Sequence, residues 1–104
     1  MNRIKYILED MLEEYDKTDI ASDEVEKLIE KYAKILDIQA KVHGDVFTIE
    51  KFIDYVKTGC IISYDGIGYY WDEEKKCEVE AVSFNPSILK QKAKKYKYVV
   101  WYNR

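Results

Sequence analysis

Residues 59–72 read GCIISYDGIGYYWD, and Asp65-Gly66 at their centre has the chemistry of a two-residue β-turn. A type I′ turn needs positive φ at both central positions, which Asp-Gly supplies at low steric cost. Counting outward, the sequence predicts a β-hairpin over 60–71 in which Tyr64 faces Ile67, Ile62 faces Tyr69 and Cys60 faces Trp71. Opposed pairs share a face, so Cys60, Ile62, Tyr64, Ile67, Tyr69 and Trp71 form the expected core face. Ile61, Ser63, Gly68 and Tyr70 form a lighter face, open to whatever else lies against it. A four-residue loop over 65–68 is the competing register and reshuffles both faces.

Upstream of this stretch the periodicity is helical. Ile4, Ile7, Leu8, Met11, Leu12 and Tyr15 recur at helical spacing, with Glu9, Asp10, Glu13, Glu14 and Asp16 between them, and predict an amphipathic helix over 2–16. Ser22 is the expected cap of a second helix, whose first turn carries Asp23 and Glu24 where the dipole favours negative charge. Its stripe is Val25, Leu28, Ile29, Tyr32, Ala33 and Leu36, and two such stripes joined by a short loop pack as a helical hairpin. Ile38, Ala40 and Val42 suit a short strand or a frayed helix end, and His43-Gly44-Asp45 breaks the chain. Thr48 then caps a third helix bearing Ile49, Phe52, Ile53 and Val56, with Gly59 in the place of a C′ glycine.

Downstream, 72–76 is a charged turn, and 77–82 alternates as a strand. Asn85-Pro86 starts a short helix, the asparagine as cap and the proline at the first helical position, expected to bury Ile88, Leu89 and Ala93. The run YKYVVWYN, 96–103, is a last strand, with Tyr96, Tyr98, Val100 and Tyr102 on one face and Lys97, Val99, Trp101 and Asn103 on the other. The expected fold is α+β: an N-terminal helical hairpin plus a third helix packed on a small, mainly antiparallel sheet of three to four strands. One domain over 1–104 is expected, with 1–37 as the helical hairpin and 38–104 as the α+β part.

Hydrophobic residues make up 47% of the 104 and ten are tyrosines, which is the composition of a folded chain. No apolar run approaches the roughly 20 residues that span a bilayer. MNRIKYILEDMLEE turns acidic where a signal peptide stays apolar. The expected compartment is the cytoplasm, without a membrane partner. Net charge is −3, unevenly spread: 1–37 hold six basic and eleven acidic groups, 38–83 five and nine, and 84–104 six and none.

No catalytic constellation emerges, no metal set and no cofactor motif. His43 stands alone, and Cys60 and Cys77 lack the paired spacing of a zinc site. Cys60 follows a helix C-terminus, where the dipole disfavours a thiolate. Both cysteines are expected in the core, flanking Trp71 and too far apart to bridge. The glycines of DGIG precede no helix N-terminus and so make no phosphate loop.

Three groups remain as interaction candidates. Tyr70 and Trp101 fall on the less apolar face of their strands, where an exposed aromatic anchors a partner or stacks a base. Glu9, Glu13 and Asp16 offer an acidic docking surface, set against the plainer reading of a wet helix face. Lys92, Lys94 and Lys95 lie in a lysine-only run that meets phosphate without the bidentate fork of arginine, which argues against specific base readout.

SYDGIGYYW followed by a terminal YVVWYN resembles short uncharacterised proteins of low-GC Gram-positive bacteria and their phages, over the last half of the chain. That resemblance brings no functional residues. Together with small size and acidity it makes a non-enzymatic protein-binding module the leading expectation. Such a module would be a regulator, or an anti-CRISPR-like inhibitor of host defence carried by a phage or mobile element, with a host or bacterial protein as partner. Two alternatives stand beside it: a small-ligand or nucleotide binder with an aromatic pocket, and a non-specific nucleic-acid binder using the C-terminal lysines.

Overall fold

A computed structural model of the chain describes residues 3–17 and 22–103. The fold is α+β and falls into two compact units, Met1–Lys41 and Val42–Arg104. In the first, α1 (Arg3–Lys17) and α2 (Ser22–Gln39) form the helical hairpin. The expected connector lies outside the described residues apart from Lys17. After Asp37 the chain continues α2 to Gln39 and closes in a turn, where Ala40 N–H donates to the Leu36 carbonyl and Lys41 N–H to that of Ile38.

The second unit is a four-stranded antiparallel sheet in the order β1-β4-β2-β3, with two helices. Its elements are β1 (Asp45–Thr48), α3 (Ile49–Thr58), β2 (Gly66–Asp72), β3 (Cys77–Ala81), α4 (Pro86–Lys92) and β4 (Tyr98–Asn103). The helix signals act as their chemistry demands. Thr48 Oγ1 accepts from Lys51 N–H, Gly59 ends α3 at φ +76°, and Asn85 Oδ1 accepts from Ser87 N–H ahead of Pro86. The core packs Ile49, Phe52 and Ile53 of α3 and Leu89 of α4 against Tyr70, Val99 and Trp101 of the sheet. β1 is the strand that periodicity did not reveal. Four residues are too few to show alternation, and its place is fixed by pairing with β4, Val46 opposite Val100.

The hairpin over 60–71 does not form. Residues 60–65 are a loop that turns back on α3, with Ile61 N–H donating to the Tyr55 carbonyl and Asp65 N–H to that of Ile62. β2 pairs instead with β4, Gly68 opposite Trp101 and Tyr70 opposite Val99. Gly66 does not have the positive φ that a type I′ turn requires, a conformation taken among the described glycines by Gly59 alone. Glycine at 66 serves close approach, since a Cβ there would sit 2.1 Å from the Tyr102 carbonyl oxygen. At Gly68 a Cβ would meet Val82 Cγ2 at 2.8 Å and Trp101 Cε3 at 3.3 Å. The face that looked lighter is light because the Trp101 indole and the Val82 side chain occupy the room its glycines leave.

This inverts the expected faces. Ile61 and Tyr70 are buried, whereas Cys60, Ile62, Tyr64 and Ile67 are exposed and only Trp71 of the supposed core row is fully buried. Both cysteines are exposed free thiols, contrary to the expectation of core residues. Cys60 lies on the loop, and Cys77 opens β3 opposite Asp72. The tight hairpin is β2–β3, whose turn is organised by Asp72. Its carboxylate accepts from the N–H groups of Glu74 and Lys75, which hold its pKa below the usual carboxylate value, the Lys75 bond contributing most. Ile88, expected in the core, is exposed on α4, while Leu89 is fully buried.

Candidate interaction surface

The helical hairpin does not pack the whole of its first stripe. Residues on a helix advance about 100° each, so Ile7, Met11 and Glu14 share one arc and Leu8, Leu12 and Tyr15 the next. The first arc faces α2. Ile7 is buried, Met11 is half-buried, and Lys31 of α2 donates to the Glu14 carboxylate at 2.9 and 3.0 Å. Tyr32 of α2, also buried, has its phenol pKa pushed up by burial and then by its hydrogen bond to Glu14. A carboxylate and a lysine thus occupy part of the seam that an all-apolar stripe would have filled. The second arc is left outside: Leu8 is 39% exposed, Leu12 59% and Tyr15 51%. Three large apolar side chains at i, i+4 and i+7 form a row along α1, and Ile29 of α2 is exposed as well.

The predicted acidic residues border this row. Continuing round the helix from Leu12, away from the α2-facing arc, the spacing reaches Asp16, Glu9 and Glu13, and all three are exposed. Glu9 pairs with Lys5 at 3.9 Å and Glu13 with Lys17 at 3.2 Å, both exposed pairs one turn apart. Such pairs contribute about 0.3–0.5 kcal/mol each and leave the carboxylates accessible to other cations.

Tyr70 and Trp101 are not surface anchors. Both are buried, on the face of the sheet against which α3 and α4 pack. Trp101 packs with Phe52 and Phe84 at ring separations of 6.0 and 5.9 Å, and its Nε1–H donates to Asn103 Oδ1 at 2.8 Å. Tyr70 stacks on Tyr96, ring centroids 5.0 Å apart and nearly parallel. Burial pushes its phenol pKa up, with the Ser83 backbone and the Lys92 charge acting against the rise, yet the hydroxyl has no partner in hydrogen-bond geometry.

The three predicted lysines behave differently from one another. Lys92 pairs with Glu80 at 2.5 Å and lies 5.8 Å from the Tyr70 ring centroid, and the Glu80 bond raises its pKa. Lys95 lies over the Tyr96 ring and lines a cleft of about 310 Å³ with Asp72, Glu73, Glu74 and Tyr96. Lys94 is exposed beyond the end of α4. The lysines therefore do not converge on one unopposed basic patch. The acidic candidates belong to Met1–Lys41, and the aromatic and basic ones to Val42–Arg104.

The row on α1 was legible in part. The six apolar positions of the full stripe are plain in the sequence, but the stripe is wider than one partner helix covers, and Glu14 reads as a solvent-facing carboxylate, so only its bond to Lys31 shows that the seam lies to that side. Among the described residues no helix is long and apolar enough to cross a membrane. Nor do any three His, Cys, Asp or Glu among them group as metal ligands. Comparison with family models, with curated proteins and with solved structures finds no match.

Proposed function

We propose that the protein is a non-enzymatic protein-binding module that docks its partner on α1. One observation carries this reading: Leu8, Leu12 and Tyr15 form an exposed apolar row on an amphipathic helix whose other arc is already used by α2. Contiguous exposed apolar side chains rimmed by charge are the usual mark of a protein-binding surface. Nucleobase stacking on Tyr70 and Trp101 draws no support from their burial. A phosphate entering the cleft beside Lys95 would meet the carboxylates of Asp72, Glu73 and Glu74. The resemblance to short proteins of Gram-positive bacteria and their phages directs the search for the partner to host proteins, as for an inhibitor of host defence.

Leu12→Ser, alone and with Leu8→Ser, tests the reading by affinity capture from a bacterial lysate. The wild-type chain is expected to retain one protein stoichiometrically and the double variant to lose it, with helical circular dichroism unchanged in both. Capture that survives the double substitution would overturn the α1 assignment.

A further inference from the structure

We infer that the occupant of the Leu8–Leu12–Tyr15 row is a cationic amphipathic helix of another protein. This rests on the protein-binding reading above and adds the partner's chemistry. The row is straight and spans about 10 Å, seven steps of 1.5 Å rise from Leu8 to Tyr15. A second helix matches that shape, because its own apolar residues recur at i, i+3, i+4 and i+7 and set their ridges into the grooves of α1. Among the described residues of Met1–Lys41 the buried apolar side chains are Ile7, Leu28, Tyr32, Ile35 and Ile38, and the unit holds no cysteine that could staple it. Chains of about 40 residues are near the limit at which a core holds unaided, so a third helix over the row adds apolar contact where little exists.

Charge selects the kind of helix. Met1–Lys41 holds seven basic and eleven acidic residues, and Glu9, Glu13 and Asp16 border the row on its outer side. Lysines or arginines flanking the partner's apolar stripe would meet these three carboxylates and displace Lys5 and Lys17 from exposed pairs. A second copy of this chain would bring two acidic borders together. An anionic bilayer and a nucleic acid would meet the same border with like charge.

The test uses the full chain and a synthetic helix of about 18 residues made of leucine and lysine, its leucines at i, i+3, i+4 and i+7. Two controls accompany it, a scrambled peptide of identical composition and a leucine–glutamate peptide of the same pattern. Fluorescence anisotropy is expected to show saturable one-to-one binding of the patterned leucine–lysine helix that weakens as salt rises. The scrambled peptide, and the patterned helix with Leu12→Ser, should each bind at least about tenfold more weakly. The Glu9→Lys/Glu13→Lys variant should reverse the preference and bind the glutamate helix more tightly than the lysine helix, a change that a folding defect would not produce. Equal binding of the scrambled peptide, or no effect of Leu12→Ser, would overturn the inference. So would sedimentation of the protein as a dimer that Leu12→Ser dissociates, which assigns the row to a second copy. If Leu12→Ser abolishes capture of the cellular partner while the patterned helix fails to bind, the docking surface stands and the cationic occupant falls. If capture is untouched, both fall.

Discussion

An alanine at Gly59 meets open space but inherits a left-handed φ of +76°, whereas at Gly66 and Gly68 alanine has a tolerable backbone and nowhere to put its methyl group. The left-handed strain costs about 1 kcal/mol. Overpacking at Gly68, where Val82 and Trp101 side chains have some freedom to give way, costs about 1–3 kcal/mol. At Gly66 the obstacle is the Tyr102 carbonyl, which moves only with strand β4, so the loss is larger still. Urea midpoints of the three alanine variants should fall in that order, and a Gly66→Ala protein as stable as Gly59→Ala would contradict the packing. Tyr70 makes the opposite case. Its buried hydroxyl has no hydrogen-bond partner, so Tyr70→Phe removes a desolvated polar group and keeps the stack on Tyr96. The variant should be as stable as wild type or more so by about 1 kcal/mol. A loss of that size in the same urea titration would mean that the hydroxyl has a partner.

At the level of elements, the helix ends follow local rules and the strands do not. Thr48 is the last residue of β1 and the cap of α3, its carbon backbone paired with Tyr98 and its hydroxyl holding Lys51 N–H. Thr48→Ala should therefore cost about 1 kcal/mol through the cap alone, with serine restoring most of it. Equal losses for alanine and serine would place the effect in the strand instead. The exposed row of α1 is an element-scale result of the same kind. Helical periodicity identified the apolar positions, but the width of the contact with α2 depends on which arc Glu14 and Lys31 draw inward.

Across the whole molecule the charge is segregated. Met1–Lys41 carries the acidic excess, while Val42–Arg104 holds ten basic and nine acidic residues. Both units hold buried phenols, Tyr32 in the first and Tyr70 and Tyr98 in the second, and Tyr102 is half-buried. Burial is the largest cause of the raised pKa of Tyr32, Tyr70, Tyr98 and Tyr102, and Tyr102, bonded to Glu78 as well, is pushed up to about 12. Above about pH 10 the unfolded chain releases phenol protons that the folded chain still holds. The unfolded state then binds fewer protons, so stability is full below pH 10 and falls as pH rises toward 12. Urea denaturation at about pH 8 and about pH 11 should show the fall, reduced in Tyr102→Phe; a flat profile would contradict the burial of these hydroxyls. The α+β class, the helical hairpin, the caps Thr48 and Asn85, the Gly59 stop and the final strand were all legible in order, because each depends on residues within a turn or two along the chain. The pairing of β2 with β4, the inversion of the 60–71 faces, the burial of Tyr70 and Trp101 and the exposure of both cysteines were not. Asp65-Gly66 reads alike whether its glycine turns the chain or lets another strand approach. Only a partner some 35 residues distant, Trp101 opposite Gly68 and the Tyr102 carbonyl against Gly66, decides between the two. Local sequence specified where the chain could bend and which residues alternate, and tertiary packing chose the neighbour and therefore the face.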